Sequence, residues 1–154
     1  MPVVDSPNLP PVTLILFSYN QSSFISEAVT SCLAQDYAGP LDILCSDDFS
    51  TDNTFDILKK LVKEYDGSHR IRLRRNSVNQ GIGEHYNTAI AEARGDLIFT
   101  AAGDDISLPF RVSRIVDAWL ENGRKADLIT SNLRRIDEQG KLGKDIIVSD
   151  LSRW

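Results

Sequence analysis

Two pairs of adjacent carboxylates carry the chemistry that this chain can do: Asp47-Asp48 and Asp104-Asp105. Each pair follows an apolar run, Leu41 to Cys45 in the first case and Leu97 to Phe99 in the second. In the second, the small residues Thr100-Ala101-Ala102-Gly103 intervene and leave room for a bulky ligand. Successive side chains of a strand point to opposite faces, so neighbouring acids serve one ligand only from a loop past the strand end. Like charges held that close repel, and a divalent cation relieves the repulsion. Oxygen donors without His or Cys suit Mg²⁺ or Mn²⁺. Such ions keep few protein ligands and take the rest from water and substrate phosphates. One or two aspartates with a diphosphate is then a sensible site. A free carboxylate such as Asp48 can accept N–H groups from a base edge, and an aromatic such as Tyr19 can stack on the base. The plain alternative is that acids before a helix only complement its dipole. Ser107 and Pro109 do read as a helix start, with Ser as N-cap and Pro in the first turn.

The elements that must position these acids alternate in type. Val12 to Phe17 is a nearly continuous apolar run, suited to a strand buried on both faces. It ends at the polar turn Ser18-Tyr19-Asn20, and Ser22 or Ser23 can cap a helix whose apolar residues are Ile25, Ala28, Val29, Cys32 and Leu33. Leu41 to Cys45 is the second strand, followed by a helix with Leu58, Leu61, Val62 and Tyr65 on one face. Ile71 to Arg74 alternates like a third, more exposed strand, and Asn76 to Gly83 reads as a loop. Tyr86, Ala89, Ile90 and Ala93 form a third helical stripe, with Gly95 as its C′ residue. Asp96 to Ala101 is a fourth strand. Val112, Ile115, Val116, Trp119 and Leu120 mark a fourth helix, closed by Gly123. Asp127 to Ser131 reads as a fifth strand, and Asp137 to Gly140 as the turn of a hairpin with a late strand over Ile146 to Val148. The alternation predicts an α/β fold with a mainly parallel sheet and a late antiparallel hairpin. In such a sheet, ligands bind beyond the carboxyl ends of the strands. That places Tyr19-Asn20, Asp47-Asp48 and Asp104-Asp105 at one edge.

The 154 residues suit one domain, and 42% hydrophobic with 25% charged residues is ordinary for a globular protein. A net charge of −5 leaves no basic footprint for duplex nucleic acid. Cys32 and Cys45 sit in apolar pattern and read as core thiols of a reducing compartment. Residues 1 to 11 read as a proline-rich flexible lead-in without a signal peptide, and no apolar run reaches the length of a membrane span. The expected location is cytoplasmic, with peripheral contact at the inner face of the membrane left open. Gly81-Ile82-Gly83 lacks the third glycine of a dinucleotide fingerprint and is discounted as one. Its remaining readings are a flexible turn or a loop lying against a nucleotide. His85 reads as a helix-surface residue and His69 as a turn residue; Arg74-Arg75 could face phosphate, with solvated charge at a strand end as the favoured reading.

Four segments in series resemble the family 2 glycosyltransferases of the GT-A fold: VTLILFSYNQ (Val12 to Gln21), ILCSDDFSTDNT (Ile43 to Thr54), NQGIGEHYNTAIAEARGDLIFTAAGDD (Asn79 to Asp105) and the following ISLPFRV. The resemblance implies a Rossmann-like α/β/α sandwich over residues 12 to 154, the donor-binding part, expected to stop before the acceptor-binding part. It implies that Phe17 and Tyr19 lie at the nucleotide-contacting turn, that Asp48 reads the base, and that Gly81 lies beside the nucleotide. Asp104 would be near the ribose, and Asp105 would hold the Mg²⁺ or Mn²⁺ that bridges the diphosphate, with Asp104 in the same metal motif. The usual family form carries an acid where this chain has Ala102, although some members use a plain Asp-Asp pair. The family's general base lies later, so no catalytic base is assigned; Asp150 is too early to match.

The implied reaction is an inverting transfer of a sugar from a nucleoside-diphosphate sugar, with UDP as the family default, to a glycan, lipid-linked or other hydroxyl acceptor. Polysaccharide assembly is the implied setting, a homodimer is left open, and the chain alone is expected to transfer sugar weakly or not at all. Two alternatives stand beside it: a Mg²⁺-dependent phosphoryl-transfer or phosphoacceptor domain, and a non-catalytic nucleotide-binding or interaction module. The phosphoacceptor reading wants a Lys after a late strand, and Lys125 precedes the fifth strand candidate instead.

Overall fold

The computed structural model describes residues 9–137 and 139–146. Their elements run β1 (Val12–Ser18), α1 (Ile25–Leu33), β2 (Leu41–Asp47), α2 (Thr54–Glu64), β3 (Arg70–Arg75), α3 (Gly81–Ile90), β4 (Leu97–Ala102), α4 (Arg111–Glu121), β5 (Leu133–Ile136) and β6 (Leu142–Ile146). The chain forms two compact units, one up to Ser113 and one from Arg114 onward.

In the first unit, four parallel strands lie in the order β3-β2-β1-β4. Every residue of β1 is buried, as its continuous apolar run predicts. Ile15 and Phe17 face α3, where they pack with Leu44 and Ala89 under Tyr86 and Ala93. The alternate residues Leu14 and Leu16, also buried, face the other side of the sheet. There α1, which buries Ile25, Ala28, Val29 and Cys32, packs with α2. Cys32 and Cys45 are free and buried, and burial pushes the Cys32 thiol up to about 11.

Strands β1 to β3 build outward in one direction, and the chain then returns to place β4 on the other side of β1. The sheet order therefore switches between β1 and β4, the place where open α/β sheets bind ligands. The register aligns the strand ends: Ser18 pairs with Asp47, Asp47 with Arg75, and Phe17 with Ala102. All three acidic or aromatic loops thus leave the sheet at one edge, as expected.

Several local expectations are corrected. Ser22 and Ser23 do not cap α1; its first N–H groups, those of Phe24 and Ile25, donate to the Gln21 carbonyl. The helix α3 begins at Gly81, inside the stretch expected as loop, because its cap comes from a distant carboxylate. Gly95 does not carry the left-handed φ of a C′ residue. A Cβ there would meet the β1 backbone at 2.5 Å from the Thr13 nitrogen, so the glycine permits close approach of two chain segments. Ser107 does not cap α4, which begins at Arg111; the Ser107 hydroxyl accepts from the Arg111 guanidinium instead. Of the expected lead-in, residues 1–8 lie outside the described residues. Pro10 and Pro11 are anchored, since Tyr37 donates to the Pro10 carbonyl at 2.6 Å and Asp96 to that of Pro11 at 2.8 Å.

In the second unit, β5 and β6 form an antiparallel hairpin. Its turn is the expected one: the Asp137 carboxylate accepts the N–H groups of Gln139 and Lys141, and Gly140 takes a φ of 75°. Arg134 pairs with Asp145 across the strands. The expected fifth strand over Asp127 to Ser131 is absent, and the strand lies at Leu133–Ile136. A hairpin turn fixes the register of the strands that flank it, and here it selects the residues immediately before Asp137. Ile147, Val148 and Asp150 are outside the described residues. Among the described residues no helix is long and apolar enough to cross a membrane.

Candidate functional site

The floor of the site is the pair of loops after β1 and β2, and backbone-to-side-chain hydrogen bonds join them. Asn20 sits at a φ of 52°, one of the few conformations in which its short amide can turn back on a loop. Its N–H donates to Ser50 Oγ at 2.9 Å, and its Oδ1 accepts the Thr51 N–H at 2.8 Å. The Gln21 N–H donates to Thr54 Oγ1 at 2.8 Å, and the Ser22 N–H to Asp52 Oδ2 at 3.0 Å. Asp52 also accepts the Thr54 N–H. Burial opposes its ionisation, but these bonds prevail and hold its carboxyl at about 2.

The two acids after β2 separate in role. Asp47 is wholly buried and inward-facing: it accepts from Ser50 and Ser18 and pairs with Arg75 at 3.3 Å. Asp48 turns toward α3. Its Oδ1 accepts Asn76 Nδ2 at 2.6 Å and the Gln80 N–H at 2.9 Å, and its Oδ2 accepts the Gly81 N–H at 3.0 Å. Burial raises its pKa, yet the bonds from Gln80 and Asn76, with the His85 ring and the Gly81 N–H, carry it below the ordinary carboxylate range. Gly81 adopts a φ of 74°, the left-handed region. The expected base-reading acid and the expected nucleotide-side glycine are therefore in direct contact.

Tyr19 presents an exposed ring at the β1 turn. Phe17 does not. Its side chain is 6% exposed, stacked on Tyr86 at 3.8 Å between ring centres and met edge-on by His85. The expected aromatic pair at this turn is thus one accessible ring above one core ring, because an inward strand position buries whatever it carries. His85 is likewise buried rather than on a helix surface, with Nε2 2.6 Å from Ser46 Oγ. Arg74 is not solvated charge, since it contacts Ser46, Asn76 and Glu92; Arg75 is exposed, as expected, and lies over the rings of Phe49 and Phe55.

Asp104 and Asp105 lie exposed on the loop after β4. Burial and the neighbouring Asp104 raise the Asp105 pKa, against a lowering by Arg111. The loop is set at both ends. The Gly103 N–H donates to the Phe17 carbonyl at 2.8 Å, and a Cβ at Gly103 would meet Gln21 Oε1 at 2.4 Å and Ile25 Cδ1 at 2.9 Å. Farther on, Gln35 acts as a buried clamp: Nε2 donates to the Leu108 carbonyl at 2.9 Å, and Oε1 accepts the Val112 N–H at 3.0 Å. Arg111 donates to the Thr100 carbonyl at 2.9 Å. Gln35 and Asn76 carry no functional signal in the sequence, whereas Asp47 is read there as one of an acidic pair and Arg74 as strand-end charge. Nothing local distinguishes a clamping glutamine; only the position of Asn76 and Arg74 at the end of a strand aligned with β2 could have suggested them.

Among the described residues no three or more His, Cys, Asp or Glu side chains group to hold a metal ion. The adjacent acids of the β4 loop do suit an ion that takes most of its ligands elsewhere: like charge already hinders ionisation of Asp105, and a cation would relieve this.

A model of glycosyl transferase family 2 matches residues 13–149. The chain belongs to this family. EpsE of Bacillus subtilis (strain 168), named as a glycosyltransferase, is 36% identical over 140 residues, which cover 91% of this chain and 49% of that protein. The chondroitin synthase of Escherichia coli is 34% identical over 134 residues, covering 87% of this chain and 19% of the synthase. The chain thus spans about half of EpsE and a smaller share of the synthase. Among solved structures, TarS 1-349 of S. aureus in complex with UDP superposes with a TM-score of 0.65 at 23% identity, covering 73% of this chain and 33% of that one. The mannosyltransferase PcManGT of Pyrobaculum calidifontis, in complex with GDP-Man and Mn²⁺, gives 0.61 at 25% identity, covering 77% of this chain and 34% of that one. These likenesses agree with the GT-A-like sheet. Family membership also sets the phosphoacceptor alternative aside.

Proposed function

We propose that this chain is the donor-binding part of an inverting glycosyltransferase that uses a UDP-sugar with the help of a divalent ion. The observation that carries the reading is the Asp48 carboxylate. A carboxylate has about four acceptor positions. Asn76, Gln80 and Gly81 take three, two on Oδ1 and one on Oδ2. One position on Oδ2 is not taken by these three donors, on a residue that is itself buried at 3% exposure. A uracil edge offers one N–H, whereas guanine offers two side by side, so the count favours uracil. The structural neighbour TarS with UDP agrees with that base, and PcManGT with GDP-Man and Mn²⁺ supports the use of an ion.

In this reading Tyr19 stacks on the base, Gly81 keeps its side of the pocket free of a side chain, and Asp104 lies near the ribose. Asp105, with Asp104, holds Mg²⁺ or Mn²⁺. Such an ion supplies Lewis-acid stabilisation of charge on the departing diphosphate. For the whole protein, the acceptor hydroxyl attacks the anomeric carbon, the bond to the diphosphate breaks, and the configuration inverts. No described residue is assigned as the base that takes the hydroxyl proton. The acceptor is a glycan, lipid-linked or other hydroxyl, and the proposed setting is cytoplasmic, at or near the inner face of the membrane.

Thermal unfolding with UDP, GDP, CDP and dTDP, each with and without Mn²⁺, tests the reading. Ligand at ~100 times Kd adds ~2.7 kcal/mol to stability. The expected result is a Mn²⁺-dependent rise with UDP that Asp105→Ala abolishes. No rise with any nucleotide would overturn the donor-site assignment.

A further inference from the structure

Asp48 is held by a side chain that is itself held. We propose that Glu92, Arg74 and Asn76 form a relay that positions Asp48 and sets base selectivity from outside the pocket. This inference rests on the donor-site reading above and extends it to residues that touch no ligand.

The relay has a direction. Arg74 Nη2 donates to Asn76 Oδ1 at 2.7 Å. A guanidinium can only donate, so the Asn76 amide must turn its oxygen to Arg74 and its NH₂ away. That NH₂ donates to Asp48 Oδ1 at 2.6 Å. An ionised carboxylate can only accept, so the two ends agree and the central amide has one orientation. Asn76 is buried, which removes water as a competing partner.

Arg74 is fixed in turn by two further contacts. Its Nη1 donates to Ser46 Oγ at 2.9 Å, and its Nε lies 3.0 Å from Glu92 Oε1. Ser46 Oγ, which accepts from Arg74, also lies 2.6 Å from His85 Nε2. Ser46 on β2, His85 on α3 and Glu92 just after α3 therefore all meet the Arg74 guanidinium or its immediate partner. An arginine present only to solubilise an edge strand would need none of these; its side chain is 14% exposed.

The consequence for recognition is specific. With Oδ1 filled through the relay, the remaining acceptor position lies on Oδ2, and a base must present a single N–H there. If the relay is cut, the Asn76 side chain loses the partner that fixes its position, and Asp48 is held by the Gln80 and Gly81 N–H groups with a less firmly placed third donor. A less firmly placed carboxylate discriminates less between an N–H and a group that replaces it.

The experiment compares UDP with N3-methyl-UDP, which lacks that N–H, by calorimetric titration in the presence of Mn²⁺. Three proteins are used: the 154-residue chain, Arg74→Met and Glu92→Gln. Glu92 is half-exposed, and in Glu92→Gln the charge is removed while an amide oxygen that can still accept from Arg74 is kept. For the unaltered chain, N3-methyl-UDP is expected to bind at least about tenfold more weakly than UDP, the size of one hydrogen bond to a charged group. In Arg74→Met the ratio is expected to fall toward one, and in Glu92→Gln to an intermediate value. A merely structural pairing would weaken both nucleotides alike and leave the ratio unchanged, which would overturn the relay. If Arg74→Met does not fold, the ratio for Glu92→Gln decides by itself. If the unaltered chain binds neither nucleotide, the donor-site reading fails and the relay with it. A tenfold preference in the unaltered chain that persists in the variants defeats the relay alone.

Discussion

Asp48 Oδ2 accepts the backbone N–H of Gly81 at 3.0 Å, so the acid after β2 closes the first turn of α3. The first N–H groups of a helix have no partner within it, and the end of the helix dipole there favours an anion. Gln80, at the N-cap position, makes no side-chain cap of its own. A group read as a recognition element is therefore also the cap of the helix beside it.

This dual role separates two substitutions. Gly81→Ala adds a Cβ that meets nothing within 4 Å, so its cost is the left-handed backbone alone, about 1–2 kcal/mol. Asp48→Ala strands the Asn76 amide and two N–H groups, at about 1–3 kcal/mol for each donor left buried. Urea denaturation should show the larger loss for Asp48→Ala. The folded pKa of Asp48 is depressed, so its contribution is present above about 4, the unfolded value, and is lost as pH falls through the folded one. The acid-side fall in stability should be smaller in Asp48→Ala than in the unaltered protein.

Asp105 gives the opposite sign. Burial and Asp104 raise its folded pKa, so its ionised form is less favourable folded than unfolded. Asp105→Asn should raise the melting temperature at pH 7 when no metal or nucleotide is added. The same variant should lose the rise that Mn²⁺ with UDP produces. A variant that melts lower without ligand would contradict the like-charge account.

Gln35 is expected to matter more than its place in a connecting segment suggests. Gln35→Met keeps the volume but leaves the Val112 N–H and the Leu108 carbonyl without their partner. The expected cost is about 1–3 kcal/mol in urea denaturation. Because both groups lie just beyond Asp105, Mn²⁺ affinity in the presence of UDP should weaken as well.

His85 should leave a mark on the pH dependence of stability. Burial lowers its pKa, and the nearby Arg74 acts in the same direction against Asp48 and Asp47. The unfolded chain then binds a proton more readily than the folded one. Stability is fully present above about 6.5 and is lost as pH falls through that value toward the folded pKa. The urea midpoint should therefore drop between pH 7.5 and pH 5.5, and His85→Gln should drop less over the same interval.

Much of this was legible in the residues, and the exceptions share a cause. β1 and β2 announced themselves because strands buried on both faces need continuous apolar runs, and β4 because its shorter run, Leu97 to Phe99, continues the alternation of strands and helices. The gathering of the three loops at one edge followed from parallel connectivity alone. The start of α3 was hidden because its cap, Asp48, lies more than thirty residues earlier. The burial of His85 was hidden because it depends on a ring distant in the chain, that of Phe17, which it meets edge-on. Arg74 looked like surface charge because two of its partners, Ser46 and Glu92, come from other places in the chain. The strand expected over Asp127 to Ser131 failed because a short apolar run is not a strand until something pairs with it.

The joined loops after β1 and β2 have a consequence for anyone recombining such proteins. Asn20, Gln21 and Ser22 each lean on Ser50, Thr51, Asp52 or Thr54 through bonds between the backbone of one loop and the side chains of the other. Each loop takes part of its shape from the other. Grafting one of them from a relative would import side chains without the backbone they fit; the two are transplanted as a single cassette or not at all.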